Sequence, residues 1–102
     1  MENERELDQL QHVAINVADL AAATDWYRSS FVCKVHYQDR TRTVLEFANM
    51  WLVLVLPSDE PPHIAFPRSD AETLGELRDR PDGLRSTFIA DPSGNLVEII
   101  AK

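Results

Sequence analysis

A short motif occurs twice in this chain of 102 residues and constrains its fold more than any other feature. His12-Val-Ala is repeated as His63-Ile-Ala, and Asp19 is repeated as Asp70, both at an offset of 51 residues (63 − 12 and 70 − 19). The same order of elements, a strand, a helix and then further strands, is predicted after each copy. The sequence therefore predicts one small α+β domain built from two diverged copies of a single module.

The first module, about residues 9–57, opens on a strand in which polar and apolar residues alternate. Asp19 is a helix N-cap residue, and apolar residues at helical spacing predict a helix over about residues 19–31. We expect Trp26, Tyr27 and Phe31 to pack that helix on the sheet. The strands of this module are predicted over residues 10–17, 34–37, 43–47 and 50–56.

The second module, about residues 62–102, follows a proline-rich linker. Its opening strand starts at His63, and Ser69-Asp-Ala-Glu72 resembles a capping box, which predicts a second helix. A closing hairpin is predicted over residues 87–90 and 96–101, with its turn at residues 91–95. Little sequence remains between that helix and the hairpin, so the module is predicted to have a shortened or missing strand. Residues 1–8 are predicted to be a disordered acidic leader before the domain of residues 9–102.

Composition limits the partners that the chain can have. The formal net charge is −7, and such an acidic surface argues against nucleic acid and anionic membranes as partners. A single cysteine, Cys33, cannot form an intrachain disulfide. The longest apolar run, residues 50–56, is too short to span a bilayer. We therefore expect a cytoplasmic protein.

Three side chains are candidate metal ligands: His12, His63 and Glu98. The two histidines occupy equivalent positions in the repeat and face one another if the modules pack with two-fold symmetry. Glu98 shares a strand face with Leu96 and Ile100, where a carboxylate is costly unless it is paired or bound to metal. Two histidines and a carboxylate suit a divalent ion such as iron, manganese, zinc, nickel or cobalt. The alternatives are that each histidine makes a hydrogen bond to a backbone carbonyl and that Glu98 is exposed to solvent on an edge strand.

The ending Asp91-Pro-Ser-Gly-Asn-Leu-Val-Glu98, with the repeat and its two histidines, resembles the vicinal oxygen chelate superfamily. This group contains glyoxalase I, methylmalonyl-CoA epimerase, fosfomycin-resistance thiol transferases, extradiol dioxygenases and bleomycin-resistance proteins. The resemblance covers about residues 9–101. It implies two βαβββ-type modules, the second shortened here, forming a cupped mixed sheet with helices outside. It also implies a divalent metal held by His12, His63 and Glu98, with Glu98 as the catalytic residue.

Departures from the family narrow the expected activity. Four-ligand members such as glyoxalase I take a ligand from the last strand of the first module, but residues 51–56 contain none. Extradiol dioxygenases use a further histidine and a tyrosine near the position of Phe88, and this chain has neither there. The resemblance thus implies a lyase, isomerase or transferase acting on a small oxygen-rich substrate, with the metal as Lewis acid. The alternatives are a metal-free small-molecule binding or drug-sequestering protein of the bleomycin-resistance type and a vestigial accessory domain.

Proton transfer in such a site would need a base, and His36 and Glu46 are candidates by chemistry. Arg40 and Arg42 could bind an anionic substrate. The alternative for His36 and Glu46 is an exposed position on their strands, and for Arg40 and Arg42 the sequence favours a solvated hairpin tip. Residues 51–56 are apolar on both faces, which suggests a strand covered by the core and by a second subunit, so we expect a homodimer.

Overall fold

Two sets of four strands form one continuous sheet that curls into a half-barrel. The structure is a computed structural model that describes residues 6–102. The elements are β1 (His12–Asn16), α1 (Leu20–Ser30), β2 (Lys34–Gln38), β3 (Arg42–Glu46), β4 (Trp51–Val55), β5 (His63–Arg68), a 3₁₀ turn (Ala71–Thr73), β6 (Arg78–Asp79), β7 (Arg85–Ala90) and β8 (Leu96–Ala101). The cupped mixed sheet expected from the sequence is confirmed.

The order of the strands reflects the repeat. Across the sheet it is β2-β3-β4-β1-β5-β8-β7-β6. β1 pairs in parallel with β4, and β5 pairs in parallel with β8, so each module has the same internal pairing. β1 and β5 are antiparallel neighbours at the centre. The opening strands of the two modules, which carry His12 and His63, therefore lie side by side.

The helix α1 forms where the N-cap and the apolar spacing predict it. The Asp19 carboxylate accepts a hydrogen bond of 2.9 Å from the backbone N–H of Ala22, which caps the first turn. Thr24, the buried residue of α1, donates a hydrogen bond of 3.1 Å to Thr43 on β3. This contact fixes the helix on the face of the sheet that lies opposite the cup.

The aromatic residues of α1 do not pack as expected. Trp26 is 56% exposed and Phe31 is 52% exposed, so the prediction that they form a helix-to-sheet core is wrong. Their rings contact each other, Tyr27 and Phe47 instead, with centroids 4.9 to 6.5 Å apart. Thr24, rather than an aromatic residue, is the buried residue of α1.

The second helix expected from residue 70 is reduced to a single 3₁₀ turn, which corrects that prediction. The Asp70 carboxylate pairs with Arg68 at 3.0 Å and makes no capping hydrogen bond. Gly75 then approaches Thr87 so closely that a Cβ atom would clash with its hydroxyl. A residue with a side chain therefore does not fit at this point without a shift of Thr87. The strand that follows, β6, has two residues, so this module has a shortened strand rather than none.

Strand β4 is covered on both faces within one chain. Val53 and Val55 join Ala14 and Val44 in a buried cluster on the cup face. Leu54, on the other face, is fully buried on the side of α1. The apolar character of residues 51–56 is therefore explained by the cup and the helix, without a second subunit.

The predicted leader lies largely outside the described residues, since the structure describes only residues 6–8 of it. These three residues are exposed and have no regular secondary structure. No helix among residues 6–102 is long and apolar enough to cross a membrane.

Candidate metal centre

The strand register brings the three predicted ligands together over two alanines. His12 on β1 lies opposite Ala65 on β5, and Ala65 also lies opposite Glu98 on β8. His63 on β5 lies opposite Ala14 on β1. Each histidine therefore faces the small residue of the other copy of the His-x-Ala motif. Because a methyl group takes up little room, the imidazole and carboxylate side chains can lean over it towards one another.

The donor atoms of the three ligands form a small triangle. The Nε2 atoms of His12 and His63 are 3.3 Å apart, and they lie 3.2 and 3.1 Å from Oε1 of Glu98. Donors bound at ~2.1 Å to one ion are separated by ~3.0 Å in octahedral and ~3.4 Å in tetrahedral geometry. All three residues are buried. The donor set and its spacing therefore fit a divalent transition-metal ion.

Hydrogen bonds on the far side of each imidazole orient the ring. His63 Nδ1 lies 2.9 Å from the carbonyl oxygen of Pro61, and His12 Nδ1 lies 2.8 Å from Oε1 of Gln11. Both oxygens can only accept, so both Nδ1 atoms carry hydrogen. The Nε2 atoms are then the ones that can present lone pairs at the triangle, which is the arrangement a metal requires.

The electrostatics of the cluster favour an anionic Glu98. Burial by itself would raise the pKa of Glu98, but hydrogen bonds from His12, His63 and Ser86 outweigh burial and hold the pKa far below its ordinary value. Burial likewise opposes a charge on His63. The hydrogen bonds to Glu98 and to the Pro61 carbonyl outweigh it and raise the pKa of His63. A protonated His63 thus supplies the positive charge beside Glu98 that a bound cation would otherwise supply.

A serine and an arginine that the sequence analysis missed hold the second oxygen of Glu98. The Ser86 hydroxyl, fully buried on β7, donates a hydrogen bond of 2.6 Å to Oε2 of Glu98. Nε of Arg80 in turn donates a hydrogen bond of 2.6 Å to the Ser86 hydroxyl. Oε1 of Glu98 therefore faces the histidines while Oε2 is occupied. The only signal in the sequence was a serine on the same strand face as Phe88.

His12 and Glu98 form part of the wall of a cavity of about 250 Å³ inside the cup, and His63 lies against both of them. Of the candidate bases, His36 lies at the cavity with its ring 4.1 Å from that of Trp51, centroid to centroid. Glu46 is exposed and lies away from this cavity. Of the candidate anion-binding residues, Arg42 lines the cavity, whereas Arg40 is exposed and outside it.

Glu60 is the second cavity residue that the sequence analysis missed. Its carboxylate lies 3.9 Å from Nε2 of His63 and 3.5 Å from Nη2 of Arg42. Arg42 also forms an ion pair of 2.7 Å with Asp59, and these neighbours raise its pKa against the opposing effect of burial. The only hint in the sequence was the position of Glu60 beside Pro61 and Pro62, in a segment that composition marks as a linker.

The strand order and pairing define the class of this domain: it has the vicinal oxygen chelate fold. No protein-family model matches the sequence, and no curated protein does. Among solved structures, methylmalonyl-CoA epimerase in complex with methylmalonyl-CoA and NH4+ is similar, with a TM-score of 0.73, 19% identity, and 95% of this chain and 96% of that chain covered.

Two further solved structures are similar over most of their length. The epimerase of Mycobacterium tuberculosis aligns with a TM-score of 0.72 and 21% identity, covering 91% of this chain and 87% of that one. A glyoxalase/bleomycin resistance protein/dioxygenase superfamily member from Vibrio splendidus 12B01 aligns with a TM-score of 0.72 and 11% identity, covering 94% of this chain and all (100%) of that one. These likenesses establish the fold anticipated from the sequence.

Proposed function

We propose that this protein is a divalent-metal-dependent enzyme that acts on a small oxygen-rich substrate as a lyase, isomerase or transferase. One observation carries the proposal: two imidazole nitrogens and a carboxylate oxygen, all from buried residues, converge within 3.3 Å of one another, and His12 and Glu98 also line a cavity. His12, His63 and Glu98 would hold the ion. When bound, a divalent ion supplies Lewis acidity towards an oxyanion on the substrate.

The residues around the triad have separate tasks in this proposal. Ser86 keeps one oxygen of Glu98 engaged, so that the other is directed at the histidines. Trp51 and His36 narrow the cavity on the side of the first module. Glu60 is a cavity carboxylate outside the triad and lies beside His63. We assign to Glu60 the acceptance of a substrate proton, with His36 as the second candidate.

Isomerase chemistry has the most support among the three reaction types. An epimerisation removes a proton from carbon and returns it, which requires a base next to a group that stabilises the resulting oxyanion. Glu60 beside the triad meets that requirement. Two of the three similar structures described above are methylmalonyl-CoA epimerases. The cavity of about 250 Å³ has room for the reacting end of such a substrate.

The alternative, a metal-free binding protein of the bleomycin-resistance type, makes no use of a buried cluster of two histidines and a carboxylate. Burying these groups is costly unless they do something together. A sequestering protein would also have no need of a second cavity carboxylate such as Glu60. The two proposals differ in one measurable property, which is metal-dependent chemistry.

Exchange of substrate hydrogen for deuterium tests the enzyme proposal. Small 2-oxo acids, 2-hydroxy acids and acyl thioesters are incubated in D₂O with metal-loaded protein, and the loss of the proton next to the carbonyl or carboxyl carbon is followed by NMR. We expect exchange that stops when the metal is removed and in Glu60→Gln. Glu46→Gln, an exposed carboxylate outside the cavity, is the matched control and should retain exchange. Exchange that persists without metal would contradict the proposal.

We also propose that the protein is a cytoplasmic homodimer. The exposed rings of Trp26 and Phe31 on α1, together with Val32 at 99% exposure, form an apolar surface that a second copy could cover. The three candidate ligands all come from one chain, so a shared site is not required. Light scattering at micromolar concentration should give the mass of two chains, and the mass of one chain would refute the dimer.

A further inference from the structure

Arg80 differs from the other arginines that are not fully exposed. Arg42 is paired with Asp59 and Glu60, and Arg68 is paired with Asp8 and Asp70. Arg80, which is partly buried, forms no ion pair with any carboxylate among residues 6–102. A partly desolvated guanidinium is most stable beside an anion, so an unpaired one in a cavity wall indicates a site for a negatively charged ligand.

Three contacts fix the position of Arg80. Its Nε and Nη2 donate hydrogen bonds of 2.6 and 3.2 Å to the hydroxyl and carbonyl oxygens of Ser86. The guanidinium carbon lies 4.8 Å from the centre of the Phe88 ring, which itself meets the ring of His63 edge-on at 5.0 Å. A guanidinium has five N–H donors, and these contacts use two of them. The remaining donors belong to a group already oriented at the cavity.

The arginine is also close to the candidate metal ligands. One serine hydroxyl separates its Nε from Oε2 of Glu98, through two hydrogen bonds of 2.6 Å each. A ligand that places an anionic group against Arg80 therefore has its neighbouring atoms beside the triad. The cavity of about 250 Å³ limits such a ligand to a small molecule or to the end of a larger one.

The acidic character of the rest of the chain makes Arg80 a selective site for an anionic ligand. The net charge of −7 repels anions in general, so an anionic ligand needs a local positive group to bind. Arg42, the other cavity arginine, already has two carboxylate partners. Asp82 also lines the cavity, but it is exposed and its Oδ1 accepts a hydrogen bond from the backbone N–H of Leu84.

We propose that Arg80 is the anion-recognition residue of the cavity and that the substrate is a small organic acid, with its acid group on Arg80 and a second oxygen towards His12, His63 and Glu98. The part of this proposal that places a second oxygen at the triad rests on the proposed function. Binding of the acid group by Arg80 does not depend on it. Neutral analogues of the same shape should therefore bind weakly, because they leave the guanidinium without its partner.

The test compares an acid with its amide. Binding of lactate and of lactamide is measured by NMR titration of ¹⁵N-labelled protein, both loaded with Zn²⁺ and free of metal. We expect lactate to bind at least about tenfold more tightly than lactamide, and Arg80→Met to remove that preference while lactamide binding stays unchanged. Methylphosphonate in a parallel titration distinguishes carboxylate from phosphonate recognition.

Arg85→Met is the matched control, since Arg85 is an exposed arginine outside the cavity and its loss should keep the preference for lactate over lactamide. Retention of that preference in Arg80→Met, or its loss in Arg85→Met, would overturn the inference. Absence of Zn²⁺ binding together with an Arg80-dependent preference for lactate would overturn the proposed function and leave the inference standing.

Discussion

The Nε2 atoms of His12 and His63 lie 3.3 Å apart across two antiparallel strands, although 51 residues separate them in sequence. Each histidine is paired across the strands with the alanine of the other His-x-Ala motif, Ala65 or Ala14. The repeat thus provides both the ligands and the space in which they meet. Both copies of the motif therefore contribute to one cluster.

Enlarging Ala65 should separate His12 from Glu98, because this alanine lies between them in one row across β1, β5 and β8. Ala65 is fully buried, so Ala65→Val should destabilise the fold by about 1–3 kcal/mol through overpacking. We expect a larger effect on metal affinity, at least about tenfold, because a shift of 1 Å disrupts coordination geometry. Isothermal titration calorimetry with Zn²⁺ measures the metal affinity. Ala65→Ser, close to the native size, should bind nearly as the native protein does.

Removing the hydroxyl of Ser86 should free Oε2 of Glu98. Loss of such an outer hydrogen bond typically lowers metal affinity by about 10–100-fold, and we expect Ser86→Ala to fall in that range. The electronic spectrum of bound Co²⁺ should change as well, since the carboxylate can then use both oxygens. Thr87→Ser, which alters the next residue on the opposite face of β7, is the control. An unchanged spectrum and affinity in Ser86→Ala would show that Ser86 does not position the ligand.

Acid should stabilise the metal-free cluster relative to alkaline conditions. The pKa of His63 is raised in the folded state, so its contribution is fully present below the unfolded value of about 6.5 and is lost as pH rises through the folded pKa. The pKa of Glu98 is lowered, so its contribution is present above about 4.3 and is lost only in stronger acid.

The contributions of His63 and Glu98 to the stability of the metal-free protein are both present between about pH 4.5 and 6.5. In urea unfolding with EDTA present, the stability difference between native protein and Glu98→Gln should therefore be largest in this window and should shrink towards pH 9. A difference that stays constant across this range would contradict the assigned ion pairs. Metal affinity should follow the opposite trend and rise with pH, because a metal displaces the proton from His63.

The contact between α1 and the sheet should affect stability alone. Thr43 is fully buried and accepts the hydrogen bond from Thr24, so Thr43→Val leaves that hydroxyl without its partner. We expect a loss of about 1–3 kcal/mol in the free energy of unfolding, measured in urea. Zn²⁺ affinity should stay within twofold, since Thr43 lies on the face opposite the cup. A large loss of metal affinity would show that the helix contact also shapes the site.

The parts of the fold that the sequence predicted are those with local signals. The helix predicted over residues 19–31 forms over Leu20–Ser30, because its cap and apolar spacing act within one element. The pairing of His12 with His63 followed from the repeat, and the turn before Glu98 followed from Asp91, whose carboxylate accepts hydrogen bonds from two backbone N–H groups.

Residues whose roles depend on distant contacts escaped the sequence analysis. Asp70 predicts the cap of a second helix, but its carboxylate pairs with Arg68 two residues earlier, and Gly75 approaches Thr87 on β7 in a contact that has no local pattern. Arg80 lies beyond a strand of two residues, which is too short to show alternation. Trp26 is exposed whereas Thr24 is buried, a choice of helix face that the apolar spacing does not reveal.

Metal stoichiometry tests the central claim most directly. Protein purified without chelator is analysed by inductively coupled plasma mass spectrometry beside His12→Ala, His63→Ala and Glu98→Gln. His36→Ala changes the third histidine of the chain, which lies outside the triad, and serves as the matched control. We predict about one divalent ion per chain in native protein and in His36→Ala, with loss of the ion in the three triad variants. Native protein that takes up no ion, or triad variants that retain it, would contradict the account.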